Sequence, residues 1–119
     1  MSKNEPMVLQ IKTNLSKLNP QYKNLDIRSG NSAYTENKKI IYICLKDPYT
    51  GKYYTMNTLM YVTLHELAHL VSKNYDPNHG KEFKEQFNQI LKQAAGVGIY
   101  DPKIPIPTTY CGVEAFAFV

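Results

Sequence analysis

The stretch Asn57-Thr58-Leu59-Met60-Tyr61-Val62-Thr63-Leu64-His65-Glu66-Leu67-Ala68-His69-Leu70-Val71 decides how the rest of the chain must be arranged. Asn57 or Thr58 offers a side-chain oxygen able to cap the first turn of a helix. The apolar residues Leu59, Met60, Val62, Leu64, Leu67, Ala68, Leu70 and Val71 then surround most of the helix circumference, so this helix has to be central. Three polar residues interrupt it together: His65, Glu66 and His69. Residues four apart on a helix share a face, so His65 and His69 present two imidazoles at a spacing suited to one metal ion, with Glu66 beside that face. Burying such groups without compensation costs on the order of several kcal/mol. A bound cation is the simplest account of them.

Two protein ligands leave a metal under-held. His79 is the candidate third ligand, ten residues beyond His69 and after the turn residues Asp76-Pro77-Asn78. The chain has three histidines, and all of them fall within segment 65–79. The competing reading of His79 is an exposed cap of the next helix, in which case Glu82 or Glu85 supplies the ligand instead. That third helix starts near Gly80, places Phe83, Phe87, Ile90, Leu91 and Ala94 on one stripe, and stops at Gly96 and Gly98.

Towards the N-terminus, Met7, Val8, Ile11, Leu15 and Leu18 recur at three- and four-residue steps, which predicts an amphipathic helix with Pro6 in its first turn and Asn19-Pro20 at its end. Extended segments are expected around Leu25 to Arg28 and Ser32 to Glu36, then more strongly over Lys39 to Leu45, closed by turn chemistry in Asp47-Pro48-Tyr49-Thr50-Gly51. The expected architecture is a single α+β domain over residues 1–119, a small twisted β-sheet packed on the central helix with two further helices beside it. The Lys39 to Leu45 strand is either a sheet edge that aligns an extended peptide or a core strand that binds nothing. The tail beyond the third helix is expected as loop ending in the apolar segment Val113 to Val119, of which Glu114 to Val119 packs as a final strand or docks a partner.

Composition sets the outer limits. At 119 residues, 43% hydrophobic and 20% charged, the chain has the profile of an ordinary globular domain. A formal charge of +4 permits a polyanionic partner such as DNA without requiring one, because the lysines are scattered and Arg28 is the sole arginine. No stretch has the length needed to cross a bilayer and the N-terminus has no apolar run, so an intracellular location, cytoplasm or nucleus, is expected. Cys44 and Cys111 lie far apart without paired spacing and are read as two reduced thiols.

At His65-Glu66-Leu67-Ala68-His69 and His79-Gly80-Lys81-Glu82-Phe83 the sequence resembles the zincin metallopeptidases, and within them the SprT-like and WLM families. The resemblance implies a zincin-like fold and zinc held by His65, His69 and His79, with Glu66 as the general base for hydrolysis of a polypeptide substrate. It further implies DNA-associated proteins as substrates. Tyr100 and Tyr110 are candidate donors to a developing oxyanion, and a Cys111 thiolate reaching the metal is a conceivable control. The alternative from a different class is an inactive zinc-stabilised module that binds DNA or protein.

Overall fold

The computed structural model describes residues 5–37, 39–71 and 80–114. Helix α1, Pro6–Ser16, buries Val8, Ile11 and Leu15. It ends before Leu18, because Lys17 and Leu18 donate to the carbonyls of Asn14 and Leu15 and so close a tighter final turn. The Asn19 side chain accepts from the Gln21 amide at 3.0 Å and starts a short 3-10 segment over Pro20–Asn24.

Three strands follow: β1 at Asp26–Ser29, β2 at Tyr34–Glu36 and β3 at Ile40–Ile43. Their order is β1-β3-β2, with β3 parallel to β1 and antiparallel to β2. The Lys39 to Leu45 run is therefore the central strand, and the expectation that it could be a peptide-aligning edge is corrected. Pairing on both sides takes up its backbone groups, and Ile41, Tyr42 and Ile43 are buried. Past β3, Gly51 at φ 71° closes a loop in which the Asp47 carboxylate accepts from the Tyr49 amide at 2.8 Å.

Helix α2, Met56–Val71, buries every residue from Thr58 to Ala68 except Tyr61. Its cap is Thr55, whose hydroxyl oxygen accepts from the Thr58 amide at 3.2 Å. Neither Asn57 nor Thr58 caps it. Asn57 instead grips the backbone of Asp101, accepting its N–H at 2.7 Å and donating to its carbonyl at 3.2 Å.

Helix α3, Lys81–Gly96, packs against α2 through Phe83, Phe87, Ile90 and Ala94. Strands β4, Thr109–Tyr110, and β5, Val113–Glu114, form a hairpin. Cys111 and Gly112 make its two-residue turn with φ of 49° and 84°, both in the left-handed region that such turns require.

The protein is thus an α+β fold with three helices and a small mixed three-stranded sheet among the described residues. Its core joins α1, the inner side chains Ile27, Ile41 and Ile43 of the sheet, α2 and α3. Among the described residues no helix is long and apolar enough to cross a membrane.

Candidate functional site

Two of the three expected ligands and the expected base lie on α2. The His65 and His69 rings meet edge to face, with centroids 4.9 Å apart and planes at 79°, as successive helical turns dictate. His65 is fully buried, whereas His69 is half-buried. Phe83 of α3 lies 5.1 Å from the His65 ring and 4.4 Å from the His69 ring, and Phe87 lies 5.0 Å from His65. The apolar stripe of α3 therefore walls the imidazole pair on one side.

Glu66 is 2% exposed. Its Oε1 accepts a hydrogen bond of 2.8 Å from the Thr35 hydroxyl of β2, and the same hydroxyl lies 3.3 Å from the Glu66 carbonyl oxygen. Burial pushes the Glu66 carboxyl up to about 7, against the downward pull of the Thr35 bond. A carboxyl in that range can both take and return a proton near neutrality. Thr35 was not among the residues singled out from sequence. The signal that could have found it is the strand alternation of Tyr34-Thr35-Glu36, which turns one polar side chain inward between two exposed ones.

The donor chemistry fits a borderline cation in part. Two imidazole nitrogens on adjacent turns are a common half of a zinc site, but among the described residues no group of three His, Cys, Asp or Glu side chains could hold a metal ion. His79 lies outside the described residues. Glu82 and Glu85, the alternative ligands, are both exposed, and Glu85 forms an ion pair of 3.9 Å with Lys81.

The remaining candidates have other work. The Tyr110 hydroxyl donates to the Cys44 carbonyl at 2.6 Å and accepts from the Cys44 amide at 2.9 Å, so its proton is committed to the backbone and not to an oxyanion. The Tyr100 ring packs beside that of Tyr61, with centroids 6.0 Å apart and planes tilted by 37°. Cys44 and Cys111 form a disulfide with Cα atoms 6.5 Å apart, which corrects the expectation of two reduced thiols and removes the Cys111 thiolate as a control. The sequence separation of 67 offered no spacing from which to read the pair.

Comparison with known proteins places the chain beside viral sequences. It is 40% identical over 92 residues to an uncharacterized protein of Invertebrate iridescent virus 3, covering 77% of this chain and 57% of the relative. It is 36% identical over 89 residues to one of Invertebrate iridescent virus 6, covering 73% and 49%. A third, from Acanthamoeba polyphaga mimivirus, is 33% identical over 112 residues, covering 92% and 55%. The chain spans about half the length of these curated relatives. No family model matches it, and no solved structure matches it. The resemblance to the SprT-like and WLM zincins is accordingly corrected: a five-residue helix motif and a second short segment suggested it. No family model carries it over the length of the chain, its relatives are uncharacterized, and a three-ligand group is missing among the described residues.

Proposed function

We propose that the protein is a metal-dependent hydrolase of peptide bonds, with Glu66 as the proton-transfer group and His65 and His69 as metal ligands. The observation that carries this is one buried carboxyl beside two stacked imidazoles on an otherwise apolar helix. His79 is the third ligand in this reading, on the ground of its sequence position alone. A zinc ion held by His65, His69 and His79 would supply Lewis acidity to a carbonyl and to an attacking water. An association with DNA rested on the corrected resemblance and forms no part of the proposal.

The chain's own residues have distinct tasks. Glu66 accepts the proton of the attacking water at its carboxyl and delivers it to the leaving amine. Its own burial, together with the Phe83 and Phe87 wall beside the imidazoles, excludes bulk water and strengthens each polar interaction within the site. With β3 central in the sheet, β2 is, among the described residues, the edge strand next to Glu66, and an extended peptide can add to it through backbone hydrogen bonds.

The test uses the full chain. Zinc content after dialysis and cleavage of an unstructured protein are compared for the wild type, Glu66→Gln and His69→Ala. The reading requires that the wild type binds one zinc and cuts, that Glu66→Gln binds zinc without cutting, and that His69→Ala loses the metal. Stoichiometric zinc without cleavage in any form supports a zinc-stabilised binding module instead. No zinc in the wild type sinks both.

A further inference from the structure

We propose that Thr35 is the positioning residue of the site: its hydroxyl anchors Oε1 of Glu66, which assigns proton transfer to Oε2. The proposal rests on the hydrolase reading above and adds to it a division of labour between the two carboxyl oxygens.

A glutamate on a helix reaches its carboxyl through three rotatable bonds, and a base that wanders among them is out of line for most of the time. Three features of the structure limit that freedom. The first is the hydrogen bond itself: the Thr35 Oγ1 to Oε1 distance of 2.8 Å is shorter than the 3.3 Å to the Glu66 carbonyl, so the carboxyl is the main acceptor of the hydroxyl proton.

The second is the rigidity of the donor. Thr is β-branched and stiff at its first side-chain torsion, so Oγ1 follows its backbone closely. That backbone is set by the pairing of Thr35 with Ile41 in the antiparallel β2–β3 ladder. Ile41 is fully buried in the core. The position of the anchor is thereby referred to the centre of the sheet and not to a surface loop.

The third is separation in sequence. Thr35 and Glu66 are 31 residues apart, on a strand and a helix, so the contact ties the sheet to the proposed base independently of the ladder of hydrogen bonds within α2. A helix-internal partner would move with Glu66; Thr35 holds it from outside. With Oε1 occupied by a donor, Oε2 is the oxygen left to exchange a proton with substrate.

Two variants separate positioning from mere packing. Thr35→Val keeps the shape and removes the hydroxyl; Thr35→Ser keeps the hydroxyl and removes a methyl group. The first readout is independent of activity and metal: the infrared band of the Glu66 carboxyl in metal-free protein, identified by isotope labelling and by its loss in Glu66→Gln. The second is kcat and KM on an unstructured protein with zinc bound. The expected result is that the band moves in Thr35→Val and returns in Thr35→Ser. In parallel, kcat falls roughly tenfold in Thr35→Val, the worth of a hydrogen bond to an ionisable group, and recovers in Thr35→Ser, with KM unchanged.

A band that stays in place in Thr35→Val overturns the anchoring, whatever the activity. A band that moves while an active enzyme keeps its kcat overturns the positioning role. A wild type that cuts nothing, with the band moving as expected, locates the failure in the hydrolase reading, and the positioning role falls with it.

Discussion

Two regions of this molecule bury polar groups, and they treat them in opposite ways. Around Cys44, the Tyr110 hydroxyl donates to one backbone group and accepts from another, while a disulfide fixes the same residue to Cys111. Burial drives the Tyr110 phenol far above its ordinary range, so it stays neutral and inert. Around His65, by contrast, a carboxyl accepts from a threonine hydroxyl and is lifted by burial to about 7. Both arrangements lie in the interior of one small fold. The difference teaches that burial alone does not mark a site: what matters is whether the buried group's capacity is used up by the backbone or left in a titratable form.

The comparison breaks most easily at Glu66. Glu66→Gln is expected to lower peptide cleavage by at least ~100-fold, the usual contribution of a positioned acid or base. Stability should not fall with it, because the amide oxygen can still accept from Thr35. Rates on an unstructured protein, set beside urea unfolding of the same variant, check both halves. If stability drops while cleavage persists, Glu66 belongs with Tyr110 as a structural group.

At the opposite region the largest effect is covalent. The disulfide closes a loop with a sequence separation of 67, for which the chain-entropy account gives about 4 kcal/mol of stabilisation. Urea unfolding with and without a strong reductant should therefore show a large drop in midpoint, and Cys111→Ser should reproduce it without reductant. A reduced protein as stable as the oxidised one would remove the staple from this account.

Tyr110→Phe comes next. It leaves the buried Cys44 amide and carbonyl without the hydroxyl that joins them, a loss of about 1–3 kcal/mol. The pH dependence has a definite sign. Burial raises the folded-state pKa of Tyr110 above the ordinary phenol value of 10.0, so above that pH the unfolded chain loses a proton that the folded chain keeps. Stability from this group is full below that value and declines as pH rises beyond it. Unfolding followed at a series of alkaline pH values should show a steeper decline in the wild type than in Tyr110→Phe.

The sequence exposed these two regions unequally, for physical reasons. Helices α2 and α3 were legible because an apolar period of three to four residues is local information, and so were His65, Glu66 and His69 as a group on one helix. The cap of α2 is not legible locally: Thr55 caps it, and Asn57 has a long-range use, binding the backbone of Asp101 44 residues away. The strand character of Ile40–Ile43 followed from β-branched composition, but its central position did not. Strand order is decided by the parallel pairing with β1, which no local pattern encodes. The disulfide and the Thr35 contact share that obstacle: each joins residues that only the folded backbone brings together.

The smallest expected effect supplies the reference for both buried regions. Arg28 grips Asp26 through two parallel hydrogen bonds of 2.9 Å, a geometry as good as any in the interior, and the bond raises the Arg28 pKa further. Yet both side chains are about one-third exposed, where water and salt screen the attraction. Asp26→Asn should therefore shift the unfolding midpoint less than Tyr110→Phe does, and the remaining shift should vanish at about 1 M salt, where screening reaches within a few ångström. If geometry governed the contribution of polar contacts here, the two substitutions would cost the same at every ionic strength. If burial governs it, the Asp26 effect fades with salt while the Tyr110 effect does not, and that divergence is what separates a surface ion pair from the buried hydrogen bonds on which both regions of this protein depend.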